Sequence, residues 1–340
     1  MDTLRKTIAV FFAILFVPAA VMALALFNFD RNAFTAETYQ QAFAREDFYN
    51  KLPAVMAEAM TTSGADQSQF PIVMQGMSRE AWEAFFRSLL PPEVLKPMGD
   101  EMLTSTFAYL NGQTDMVNLN LVPLKASMTN ETGAQAVLSL LRTLPQCTAE
   151  QVGQITFSLL SGGQIEFCNP PAEMYPLLTP VIQSQLQVTA SVIPDQLTLM
   201  SAPPQNDPRR KLQTIRFFMR LSPILPLVIL LALTVFAVRS LRDWLGWWGI
   251  PFFITGTGAF AVGIFGAPVF KDALQRILVS RMPDYLPAFL LDFASDFASA
   301  MVRALLNPVL WQGAALAFIG FIMALGGFLI NRRSAAQHTA

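Results

Sequence analysis

Four long apolar runs constrain this chain more than any other feature of its sequence. A helix needs about 20 residues to cross the hydrocarbon core of a bilayer. Each run approaches or reaches that length without a charged residue; the runs are residues 7–27, 221–238, 247–270 and 309–330. The sequence therefore predicts an all-α membrane protein with four transmembrane helices.

The first run sets the predicted orientation. Arg5 and Lys6 precede it, and basic residues tend to stay in the cytoplasm. A cleaved signal peptide is the alternative, because Ala23-Leu24-Ala25 resembles a small-residue cleavage site. The apolar stretch exceeds the ~7–15 residues of a signal core, so we predict an uncleaved signal-anchor.

That orientation assigns a side to every other segment. The predicted cytoplasmic segments are residues 1–6, the turn 239–246 and the tail 331–340. The predicted extracytoplasmic segments are the domain 28–208, the basic juxtamembrane helix 209–220 and the amphipathic interfacial helices of 271–308. The protein is thus expected in the cell membrane, in contact with the lipid bilayer.

The predicted extracytoplasmic domain is acidic and mainly helical. Residues 28–208 contain 18 Asp and Glu against 8 Lys and Arg, a net charge of −10, which disfavours nucleic acid as a partner. Helical periodicity dominates the domain, with a break or a kink expected at Pro53. Two short alternating stretches, Met116–Leu121 and Gln196–Leu199, are typical of strands. We predict that they pair into a small two-stranded β element.

Cys147 and Cys168 are the only cysteines, and both fall in this domain. An even pair in an oxidising compartment usually forms a disulfide. A metal pair or a reactive thiol is the alternative. Neither a neighbouring His nor a Cys-x-x-Cys spacing is present to favour it.

Small residues recur at helical spacing in the third and fourth runs. Because lipid gives helices no hydrophobic reason to associate, small residues that let backbones approach can supply the attraction. Gly and Ala are also simply common in membrane helices, which is the alternative explanation. The predicted packing residues are Thr255, Ala259, Gly263, Ala267, Gly313, Ala317, Gly320, Ala324 and Gly327.

Two charged groups of opposite sign lie in segments predicted on the same side of the bilayer. Asp292 and Asp296 lie on the polar face of the second amphipathic helix. The basic group comprises Arg209, Arg210, Lys211, Arg216 and Arg220. We hypothesise a contact between the two groups; the alternative is that both are solvated, since exposed pairs contribute little.

No stretch of the sequence carries a recognisable catalytic, phosphate-binding or metal-binding motif. The single histidine, His338, lies in the C-terminal tail, which disfavours histidine-based acid–base chemistry. We therefore expect neither a cofactor nor a metal. An enzyme that uses carboxylates of the extracytoplasmic domain is the least favoured class.

Five stretches of the chain carry a resemblance to known proteins: FNFDRNAFTAETYQQAF, LLPPEVL, YLNGQTD, the cysteine section CTAEQ…FCNPP and RSLRDWLGWWGIPFF. Together they resemble a group of bacterial four-span membrane proteins that has no assigned activity. The resemblance covers nearly the whole chain and implies a large extracytoplasmic domain between the first two spans. In topology alone, the order of spans also resembles permease subunits of mechanotransmitting transporters.

Together these features favour a non-enzymatic protein that binds another envelope or membrane protein, or senses the envelope, through its extracytoplasmic domain. The alternative is a subunit of a transport or lipid-handling membrane complex, in which the helical domain holds an apolar ligand.

Overall fold

The computed structural model describes residues 2–62, 77–161, 168–203, 207–281 and 288–338. The chain divides into two compact units. The first, here called the span unit, comprises Met1–Ala42, Pro203–Ser280 and Ala294–Ala340. The second, the strand unit, comprises Phe43–Ala202 and Arg281–Phe293.

Long apolar helices form the span unit. Among the described residues, four stretches are long and apolar enough to cross a membrane, as predicted: Leu4–Ala33, Pro208–Ala237, Leu241–Ile277 and Phe293–Ile330. The helices that contain them are α1 (Asp2–Ala33), α10 (Pro208–Leu221), α11 (Ile224–Ala237), α12 (Leu241–Arg281) and α13 (Ala288–His338).

Helices α12 and α13 extend well beyond the predicted third and fourth spans. We predicted separate interfacial helices over residues 271–308, but α12 continues through Phe270 and α13 continues through Pro308 without a break. The predicted break at Pro283–Pro287 lies outside the described residues. The difference has a physical reason, because an amphipathic stretch and an apolar stretch have the same helical backbone, and a change of polarity alone ends no helix.

Helix α1 packs against α10 and α11. Its core residues Ala9, Phe16 and Ala20 meet Leu230 and Leu233, which are buried in α11. Two side-chain hydrogen bonds join neighbouring helices. The indole Nε1 of Trp248 donates to Thr234 Oγ1 at 3.0 Å, and Arg5 donates to the carbonyl of Phe236 at 2.9 Å. These bonds satisfy groups that would be costly to leave unpaired in lipid.

In its described ranges, the strand unit contains short helices and one small sheet. Its helices are α3 (Phe48–Thr62), α4 (Arg79–Leu89), α5 (Pro92–Leu110), α6 (Val122–Thr129), α7 (Glu131–Leu141), α8 (Ala149–Ser161) and α9 (Tyr175–Val192). Helix α2 (Ala36–Arg45) precedes them, and a 3₁₀ turn at Ala172–Met174 precedes α9. The strands are β1 (Met116–Asn120) and β2 (Gln196–Ser201), as the alternating stretches predicted.

The break in the first helical region lies at Asp47 instead of Pro53. Asp47 has a φ of 53°, in the left-handed region that ends a helix, whereas Pro53 lies inside α3. A proline in the interior of a helix removes the N–H that would bond to the carbonyl four residues earlier, and it can kink a helix without ending it. Pro53 is the sixth residue of α3 and is buried.

Helix α4 is central to the core of the strand unit. Ser78 caps it, accepting a hydrogen bond from the N–H of Ala81 at 3.3 Å. Trp82 and Phe85 are buried between α3 and α7. Ser127 of α6 donates to the carbonyl of Leu89, at the end of α4. Helix α6 was not predicted, because its eight residues are too few to show a clear period.

Candidate functional site

The two strands form an antiparallel sheet whose register runs from Met116 opposite Ser201 to Asn120 opposite Gln196. An irregularity between Val117 and Asn118 interrupts the ladder. Beyond the paired residues, Leu121 N–H donates to the carbonyl of Asp195 at 2.8 Å. The ladder thus joins two segments of chain that enclose helices α6 to α9.

The two edges of this sheet differ. Along β1, the N–H of Asn118 turns away from β2 and donates to Ser105 Oγ of α5 at 3.0 Å. The side chain of Asn120 donates to Glu101 of the same helix at 2.9 Å. Helix α5 therefore covers the β1 edge.

The β2 edge is open. Within the described residues, no backbone group on the side of β2 away from β1 has a hydrogen-bond partner. Because Asn118 turns its N–H away from β2, its opposite residue Thr198 turns its own N–H toward this free edge. We call the outward backbone of residues 196–201 the open edge.

Side chains around the open edge are also exposed. All six residues of β2 are exposed, and they include three large apolar ones, Leu197, Leu199 and Met200. Immediately before the strand, Val192 at the end of α9 is 82% exposed. The sequence QLTLMS contains no charge and no proline, the residues with which proteins usually protect an edge strand.

The structure joins Cys147 and Cys168 in a disulfide, with 5.0 Å between their Cα atoms. Cys168 is buried beside Leu138, Ile155 and Leu178. Next to the bridge, the N–H of Cys147 donates to the carbonyl of Asn169 at 2.9 Å. The bridge therefore anchors the segment that leads into α9.

The ion pairs seen for the basic group involve carboxylates that we did not predict as its partners. Arg216 and Arg220 each donate through Nε to a different carboxylate oxygen of Asp30, both at 2.8 Å. Asp30 is only 4% exposed, and the guanidinium of Arg216 also lies 4.3 Å from the ring centre of Phe34. The partner of these arginines is thus the end of α1.

The remaining predicted charges have other neighbours. Arg209 pairs with Asp207 at 2.7 Å, and the Arg209 N–H and side chain lower the pKa of that carboxyl. Asp296 pairs with Lys271, and Gln275 approaches the buried Ser295. The polar face of α13 therefore packs against α12. No ion pair is found for Arg210 or Lys211 among the described residues, and the Asp292 side chain lies outside them.

The predicted small residues of the fourth span lie against α12. A Cβ on Gly313 would lie 2.6 Å from the N atom of Phe260, and a Cβ on Gly320 would overlap the backbone at Phe253. The helices are antiparallel and in backbone contact, which only small residues permit. The contacts extend from Gly313 through Ala317, Gly320 and Ala324 to Gly327.

The third span contributes contact residues beyond those predicted. Thr255, Ala259 and Ala267 are buried, and Gly263 meets Leu310. The closest approaches of this span to backbone atoms, however, are at Gly249 and Gly256, which face Ala324 and Ala317. We call the glycines 249, 256, 263, 313, 320 and 327 the glycine seam. The glycines of the seam are seven residues apart within each helix, a spacing that is visible in the sequence. We did not predict it for the third span, because there we chose small residues that are four residues apart.

Two more polar pairs were missed by sequence reasoning. Asn28 of α1 exchanges side-chain hydrogen bonds with Gln312 of α13, at 2.7 and 3.2 Å. In the strand unit, Tyr49 donates to Asp100 at 3.1 Å. Burial raises the pKa of the Tyr49 phenol, and the charge of Asp100 raises it further. No pattern in the sequence identifies either partner.

The described residues contain no cluster of three or more His, Cys, Asp or Glu side chains that could hold a metal ion. The chain matches no protein-family model, no curated protein and no solved structure. Among the described features, the open edge has the geometry best suited to contact with another molecule.

Proposed function

We propose that this is a non-enzymatic, multi-pass membrane protein that binds a partner through the open edge of β2. The partner is another envelope or membrane protein that offers an extended segment. The single observation that carries the proposal is the exposed, unprotected strand at residues 196–201. The opposite edge of the same sheet, formed by β1, is covered by α5.

An open strand edge recruits a peptide by simple chemistry. Its outward N–H and C=O groups can form main-chain hydrogen bonds with an added strand, while exposed side chains supply specificity. Leu197, Leu199 and Met200 provide apolar contacts that such a strand would bury. Left uncovered, this edge would favour aggregation, which is a reason to expect an occupant.

We further propose that the strand unit lies outside the cytoplasm. Arg5 and Lys6 favour a cytoplasmic N-terminus, and a single crossing by α1 then takes the chain to the outer side. The disulfide supports the same side, because such bonds persist in oxidising compartments. The C-terminus, after an even number of crossings, returns to the cytoplasm.

Photo-crosslinking in native membranes tests the binding site. A photoreactive residue at Leu199 should capture a discrete protein, whereas one at Met102, on α5, should not. Thr198→Pro removes the outward N–H at the open edge and should reduce capture by at least about tenfold. Thr198→Val also loses the side-chain bond to Asn118 but keeps that N–H, so it should still capture the partner.

Two results would contradict the proposal. Equal capture by Thr198→Pro and Thr198→Val would show that no backbone bond forms at this edge. The second result concerns a cysteine placed at Gln185. If it reacts with an impermeant reagent only after lysis, the strand unit lies in the cytoplasm, and the open edge would then bind a cytoplasmic partner.

A subunit of a transport or lipid-handling complex is the second candidate. It is favoured by an apolar cleft in the span unit, which is described below. Purification in mild detergent tests it, because such a subunit should retain an ATPase in fixed ratio, and a partner-binding protein should not.

A further inference from the structure

A large cleft in the span unit is distinct from the open edge. It has a volume of about 950 Å³ and lies among α1, α12 and α13. Its walls are mostly apolar, with Val10, Ile14 and Pro18 on one side and Ile250, Ile254 and Phe328 on the other.

The length of the cleft matches half a bilayer. From Arg242 at one end to Ile254 at the other, α12 rises about 18 Å at 1.5 Å per residue. One leaflet of the hydrocarbon core is about 15 Å deep, half of the full ~30 Å. An acyl chain that enters beside Arg242 would therefore fit along the cleft within a single leaflet.

The Arg242 end of the cleft is basic. A smaller adjoining cavity of about 150 Å³ shares Asp243 and Trp247 with the cleft. Among the described side chains, four cations line the two cavities against the one carboxylate of Asp243; they are Arg5, Lys6, Arg239 and Arg242. In the part of the chain that the structure describes, no ion pair engages Lys6, Arg239 or Arg242.

We propose that this cleft is a binding site for an anionic phospholipid. The phosphate lies against Arg239 and Arg242, and an acyl chain fills the apolar cleft between α1 and α12. Trp247 lies where the two parts meet, the level at which tryptophan commonly borders headgroups. A free phosphate would leave the apolar cleft empty, and a zwitterionic lipid would leave the excess positive charge unmatched.

The experiment uses the full chain in detergent, titrated with phosphatidylglycerol or phosphatidylcholine and read by native mass spectrometry. Phosphatidylglycerol should bind in preference. Each basic residue near a charged lipid contributes about fivefold, so Arg239→Gln/Arg242→Gln should weaken binding by about 30-fold. Arg239→Lys/Arg242→Lys keeps the charge and should bind within a few-fold of wild type. The matched control is Arg210→Gln/Lys211→Gln, which removes two charges at the other end of α10–α11.

A second pair of variants tests the acyl part of the site. A Cβ on Gly246 meets no atom within 4 Å, so this position accepts a side chain without disturbing the fold. Gly246→Leu should fill the cleft and reduce phosphatidylglycerol binding at least tenfold. Gly246→Ala gains similar helix propensity but leaves the cleft open, and should bind normally.

Three outcomes would overturn the proposal. The first is equal binding of the two lipids by the wild-type chain. The second is unchanged binding by the folded Arg239→Gln/Arg242→Gln variant, with folding judged from its melting curve. The third is full competition by soluble glycerol phosphate, which would show that the headgroup alone is recognised.

Discussion

Arg216 and Asp30 lie 186 residues apart in the chain and join α10 to the end of α1 through an ion pair of 2.8 Å. Both side chains are nearly buried, at 11% and 4% exposure, so little water can reach either charge if its partner is removed. Removing one member of a buried pair leaves the other charge uncompensated, which costs about 3–5 kcal/mol.

Asp30→Asn should therefore lower the free energy of unfolding of the span unit by about 3 kcal/mol. Chemical denaturation in detergent micelles measures it. The control is Asp195→Asn, which breaks an ion pair whose carboxylate is 70% exposed and should cost under about 1 kcal/mol. Similar losses in the two variants would contradict a special role for the buried pair.

The glycine seam predicts a sharp size limit at Gly256. A Cβ there would overlap the backbone of Ala317, and a backbone cannot swing aside as a side chain can. Gly256→Val should destabilise the span unit by about 3 kcal/mol, the upper part of the usual range for overpacking. Gly258→Ala is the control, since its Cβ would meet only a Val21 methyl group at 3.4 Å. Equal melting temperatures for Gly256→Val and Gly258→Ala, within error, would refute close packing at residue 256.

Loss of the disulfide should weaken the strand unit. The bridge closes a loop with a sequence separation of 21 residues, worth about 3 kcal/mol in the chain-entropy account. Cys147→Ser/Cys168→Ser should lower its free energy of unfolding by that amount under oxidising conditions. Because Cys168 is buried, mild reductant should leave the folded wild-type bridge intact. Reduction before unfolding would contradict that protection.

Tyr49 predicts a loss of stability at high pH. Burial and the charge of Asp100 raise its pKa in the folded state above the usual value near 10. The stability that the protonated Tyr49 phenol contributes is fully present below pH ~10. Above that pH the unfolded chain releases the phenol proton before the folded chain does. The free energy of unfolding therefore falls, by up to about 1.4 kcal/mol per pH unit. Tyr49→Phe should flatten this slope in denaturation measured between pH 9 and 11.

Burial also raises the pKa of Tyr39, so a shallower slope should remain in Tyr49→Phe. An unchanged slope in that variant would contradict the assignment.

Elements with a strong local signal were predictable from the sequence. The four apolar runs predict the long helices, and the alternation around Val117 and Leu197 predicts both strands and their pairing. Ser78 also caps α4 as its residue type favours. These features follow from periodicity and residue type within a short window.

Features that depend on distant partners were not predictable in the same way. The sequence places Asp30 three residues beyond an apolar run and gives no sign that Arg216 will reach it. No local pattern identifies Lys271, on the facing helix, as a partner of Asp296, and the contact expected between the basic group and Asp292 stays a prediction. Charge alone does not select a partner among several of opposite sign.

The fixed register of the glycine seam limits which insertions this chain can accept. Adding one residue to α12 between Gly249 and Gly256 would rotate everything after it by about 100°, turning Gly256 and Gly263 away from α13. Adding seven residues would restore nearly the same facing, because seven residues complete almost two turns. Length variants of this hairpin should therefore survive only in steps of about seven residues.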